Sequence, residues 1–123
     1  MGTMENGDIR ALVQIYFDGV YTGNVASLAA IFDAGAQVCG EVDGQPYHKT
    51  IAAYLTGEAS RASPNDRRDL YMMKLLSIDV TGNIASVKLH SPMLGFNYHL
   101  YLSLVLMDGK WKIVNKTFTH LAD

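Results

Sequence analysis

The chain has 123 residues, 49% of them hydrophobic and 18% charged, with a formal net charge of -2. That balance suits one globular domain burying about 65% of its unfolded surface, and it excludes a disordered chain. It also provides no long-range pull toward nucleic acid or anionic lipid, and the single cysteine, Cys39, rules out an internal disulfide or a cysteine-based zinc site.

Residues 1–7 read as a disordered lead with no apolar h-region, and residues 8–120 as one domain. No apolar run approaches a membrane span, so a cytoplasmic protein is expected. Asp8 is placed to cap a first helix whose apolar stripe is Ile9, Leu12, Val13, Tyr16, Phe17 and Val20. Gly23 ends it, and Asn24 caps a shorter helix carrying Leu28, Ile31 and Phe32. A short strand over 37–42 runs into the Asp43-Gly44 turn, with a brief return strand from Gln45 to Lys49. Thr50 starts a third helix with Ile51, Tyr54 and Leu55 on one side. The stretch SRASPNDRRD is the long polar loop, and its Arg67-Arg68 pair is neutralised locally by Asp66 and Asp69.

Everything beyond that loop alternates or runs apolar, as strands do: residues 70–80, 83–91, 96–107 and 110–119. Three helices followed by a meander of antiparallel strands give an α+β fold with helices on one face of the sheet. If Thr81-Gly82 and Asp108-Gly109 are two-residue turns, counting by twos assigns the faces. One face carries Ile78, Leu76, Lys74 and Met72 opposite Ala85, Val87, Leu89 and Ser91, and Trp111, Ile113, Asn115, Thr117 and Thr119 opposite Leu106, Leu104, Leu102, Leu100 and Tyr98. It turns polar away from the hairpin turns. The opposite face carries Tyr71, Met73, Tyr101, Val105 and Val114, with His90, His99, Lys116 and Phe118, and is half apolar. With no helix left to cover it, a homodimer through that face is expected.

Three segments, IYFDGVYTGNVASLAAIFDAGAQVCG, IDVTGNIASVKL and DGKWKIVNKTF, resemble the first helices and strand, the central hairpin and the closing hairpin of the nuclear transport factor 2-like superfamily. Within it the chain is most similar to the group labelled "putative lumazine-binding", with SnoaL-like cyclases and ketosteroid-isomerase-like proteins as more distant relatives. The resemblance covers about residues 8–119. It implies a cone-shaped (cystatin-like) fold whose mouth opens between helices and sheet, and a dimer through the outer sheet face. Where the family pattern carries an inward Asp ahead of a Leu-x-Leu, this chain has Leu100, in NYHLYLSL.

An isomerase or dehydratase on such a scaffold needs an enclosed base and a donor for the developing oxyanion. The strands after the polar loop place no carboxylate inside, which leaves Glu41 and His48 as the candidates for a base. No histidine has metal-ligand spacing with another ligand, so no metal or cofactor is expected. The expectation is therefore a small organic ligand held in the cone. Tyr16, Tyr54, Met72 and Tyr98 would form the walls, and Lys74, Asn115 and Thr117 the polar contacts. An isomerase, dehydratase or cyclase is the alternative.

Overall fold

The structure, a computed structural model, describes residues 2–122. It contains α1 (Gly2–Thr22), α2 (Val25–Ile31), β1 (Phe32–Val42), β2 (Gln45–Thr50), α3 (Ile51–Ser60), β3 (Lys74–Thr81), β4 (Ile84–Met93), β5 (Phe96–Met107) and β6 (Lys110–His120). One six-stranded sheet has the order β2-β1-β6-β5-β4-β3. The β3 to β6 meander is antiparallel as expected, but β1 joins β6 in parallel, so the sheet is mixed. The three helices cover its inner face. None of the described helices is long and apolar enough to cross a membrane.

The caps follow from side chains that can satisfy free amides at helix starts. Asn24 accepts from the Ser27 amide, and Thr50 from that of Ala53. Asp8 does not serve this way, because α1 already starts at Gly2 and Asp8 lies exposed within it. The α1 stripe Ile9, Leu12, Val13, Tyr16, Phe17 and Val20 is wholly buried, in one core with Val87, Leu89, Leu102, Leu104, Trp111 and Ile113 of the sheet. Asp43-Gly44 and Asp108-Gly109 take positive φ at both residues, the requirement of a two-residue turn that matches strand twist. The β3–β4 turn is Gly82-Asn83 rather than Thr81-Gly82, since Thr81 pairs with Ile84.

Two bulges redistribute side chains across the sheet. In β3, Ser77 pairs with Lys88 but Leu75 with Leu89, which leaves Leu76 as an extra residue. Beyond that point the expected faces are inverted. Met73 and Leu75 turn inward, and Met73 is buried, while Met72, Lys74 and Leu76 are exposed. Tyr71 also departs from the expected outer face: it packs beside Phe17 and Tyr21 of α1, with ring centroids 6.4 Å and 5.1 Å away. In β6, Ile113 pairs with Leu104 but Asn115 with Ser103, so Val114 is the extra residue. Residues after it again exchange faces: Lys116 and Phe118 point inward, and Asn115 and Thr117 outward.

Candidate functional site

A cavity of about 220 Å³ lies between the helices and the sheet. Its walls come from every layer of the fold: Tyr16 of α1, Tyr54 and Glu58 of α3, Arg61 just beyond it, Val42 and Tyr47 of β1 and β2, Ser91 and Met93 of β4, Tyr98 and Leu100 of β5, and Lys116 and Phe118 of β6. Gly40 of β1 lets Phe118 approach. A Cβ at that position would lie 2.5 Å from the Phe118 carbonyl oxygen and 2.7 Å from its ring.

Lys116 is the centre of the site. The Val114 bulge turns it inward opposite Leu102, where it is buried. Its Nζ donates to the Tyr54 hydroxyl at 3.0 Å. It also lies 4.6 Å from the Tyr54 ring centroid, 5.3 Å from that of Tyr16 and 5.5 Å from that of Phe118. Such ring faces attract a cation by about 0.5–2 kcal/mol each, less than full hydration supplies. Burial accordingly brings the Lys116 ammonium down to about 8; Glu58 opposes the shift and Arg61 adds to it.

Glu58 is buried on the inner side of α3 and pairs with Arg61 at 2.8 Å, the guanidinium side being 44% exposed. Burial raises the phenols of Tyr16 and Tyr54 well above the ordinary value, with Glu58 adding to the effect. Burial also raises Tyr98, while Arg61 pulls it back. At neutral pH the walls are therefore aromatic surfaces with uncharged hydroxyls, plus one ion pair and one ammonium. Among the described residues, no three His, Cys, Asp or Glu side chains cluster as metal ligands would.

Of the residues expected at the site, Tyr16, Tyr54 and Tyr98 line the cavity. Met72 and Lys74 are on the exposed side of β3 because of the Leu76 bulge. Asn115 and Thr117 face outward, where Thr117 Oγ1 donates to Asn115 Oδ1 at 2.7 Å. His48 is exposed, with Nε2 2.6 Å from Gln37 Oε1. Glu41 is exposed too: it accepts from the Gly44 amide and from Thr119 Oγ1, so it braces a turn. Neither lines the cavity. Its charged groups are instead Lys116 and the Glu58–Arg61 pair, which the alternation of faces did not place there. Two signals mark them. Phe118 is a large aromatic out of phase with Trp111 and Ile113, as a bulge requires, and Glu58 continues the buried Ile51, Tyr54 stripe of α3 by one more turn.

Comparison with solved structures finds the same architecture in several bacterial proteins. An NTF2-like protein of unknown function from Silicibacter pomeroyi superposes with a TM-score of 0.85 at 21% identity, covering 98% of this chain and 99% of that one. One from Shewanella baltica gives 0.85 at 20% identity over 100% and 98%. One from Methylobacillus flagellatus gives 0.85 at 21% over 96% and 93%. Among curated proteins, none matches the chain. The family model described as "Putative lumazine-binding" matches residues 4–119, nearly the whole sequence. The chain belongs to that family, and it shares the fold of these NTF2-like proteins.

Proposed function

We propose that the protein binds a small, partly aromatic organic molecule in the cavity between helices and sheet. One observation carries this reading: aromatic side chains from α1, α3, β2, β5 and β6 converge on a space of about 220 Å³ with few polar groups, the usual composition of a ligand pocket. The family's description names a planar bicyclic ring, and aromatic walls suit that shape. Native mass spectrometry of freshly purified protein tests it. A small-molecule mass excess that is lost on denaturation, and lost in the cavity-filling variant Leu100→Trp, is the expected result. Only the bare chain mass, before and after incubation with planar aromatic compounds, would remove the proposal.

An isomerase, dehydratase or cyclase is the second reading, favoured by the presence of Lys116 beside the Tyr54 hydroxyl inside the cavity. An amine near 8 suits proton transfer around neutral pH, and a phenol donor suits a developing oxyanion. Deuterium uptake from solvent into enolisable cyclic ketones, abolished in Lys116→Met, would support it; no uptake above buffer would sink it.

We also propose a cytoplasmic homodimer through the outer sheet face. Ile84 and Tyr101 are 57% and 52% exposed there, beside Val105 and Val114. Tyr101→Asp with Val105→Asp is expected to give monomers in light scattering, and an unchanged oligomer would overturn this part. The one unpaired cysteine, Cys39, suits a reducing compartment.

A further inference from the structure

The charges inside the cavity do not balance. Glu58 is compensated by Arg61 at 2.8 Å, whereas Lys116 has the neutral Tyr54 hydroxyl as its hydrogen-bond acceptor. Among the described residues no carboxylate lies within ion-pair distance of its Nζ. An ammonium has three donors, so two remain for whatever enters the cavity. Every element packed around it presents neutral groups or the closed ion pair: Tyr16 from α1, Tyr54 and Glu58 from α3 with Arg61, Tyr47 from β2, and Tyr98 from β5. A buried cation with aromatic neighbours and no counter-ion stabilises an entering anion twice, by attraction in a weakly screened space and by restoring the partner that burial removed.

We propose that the cavity takes a small aromatic acid as its monoanion, the ring held between the tyrosines and the charged oxygen seated on the Lys116 ammonium. The inference rests on the reading of this cavity as a ligand site and names the ligand's chemical class. A dianion finds no second free cation inside, since Arg61 is engaged by Glu58, and a cation meets like charge. The lowered Lys116 value fits the same picture. An anion beside the amine restores its proton, so binding takes up a proton wherever free Lys116 is partly neutral, and affinity falls as pH rises through that range.

Isothermal titration with 2-naphthoate and its neutral isostere 2-naphthamide tests this. At about pH 7 the naphthoate is expected to bind at least about tenfold more tightly, with the preference gone at about pH 9.5. At about pH 8 the heat should depend on the buffer, showing net proton uptake. The carboxylate stays ionised throughout, so this change reports the protein. Lys116→Met should bind both probes alike, and the wild-type pH series reads the effect without any variant. Equal binding of the two probes at every pH, with Tyr16 and Tyr54 resonances shifted, would overturn the anion inference and leave the cavity reading intact. Binding of neither probe would overturn the cavity reading and this inference with it.

Discussion

The strands β3 and β6 each carry a bulge with a lysine two residues away from it, and the bulges act in opposite senses. Leu76 in β3 rotates the end of the strand so that Met73 fills the interior and Lys74 reaches water. Val114 in β6 rotates the strand so that Lys116 enters the interior and Asn115 and Thr117 leave it. The first outcome completes a core, as burial of apolar surface favours. The second places an ammonium where burial penalises it, and does so at the wall of an aromatic-lined cavity. A departure from sheet regularity that worsens solvation supports the ligand-binding role proposed for the cavity.

The sharpest contrast lies within β6 itself. Ile113, just before the bulge, is fully buried in close-packed core, and Ile113→Ala is expected to cost about 2–5 kcal/mol in urea denaturation. Past the bulge the expectation reverses. Lys116 is lowered from 10.5 to about 8 in the folded protein, so between those values the unfolded chain binds more protons than the folded one. Stability therefore rises as pH climbs from about 8 toward 10.5, by a total on the order of 3 kcal/mol. Tyr16 and Tyr54 act the other way. Their raised values keep them neutral when folded, and the stability this gives is lost once pH passes the ordinary tyrosine value of 10.0. Denaturation midpoints should thus peak on the alkaline side, and the rise should vanish in Lys116→Met but persist in Lys74→Met. A flat profile in the wild type would mean Lys116 is solvated.

Smaller effects refine the contrast. Gly40→Ala puts a Cβ against the Phe118 backbone and ring, and should cost about 1–3 kcal/mol by pushing β6 from β1 at the cavity wall. Lys74→Met, at an exposed position, should stay within about 0.5 kcal/mol of the wild type. A larger loss there would show that the two lysines are not in contrasting surroundings.

Much of the fold was legible because it rests on repeated patterns. The α1 stripe, the Asn24 and Thr50 caps and the Asp-Gly turns each follow from local chemistry, and each forms as the sequence indicates. The site was legible where it sits on helices, as with Tyr16 and Tyr54, whose period a bulge in a strand cannot alter. Tyr98 faces the cavity because β5 alternates without interruption up to it. Beyond the bulges, however, each strand reverses its faces. That single change moves Lys74 and Asn115 out and Lys116 in, because a sheet has a period of two and one extra residue inverts it. The parallel pairing of β1 with β6 was not legible, since nothing in the turns encodes which distant strands meet.

The most direct test of the central claim is the titration of the lysine side chains by NMR, on protein labelled at the lysine ε-carbon and free of added ligand. The predicted result is one lysine titrating near 8 that is absent in Lys116→Met. If every lysine titrates in the ordinary range, Lys116 is not a buried ammonium, and the charge on which the site is built is not there.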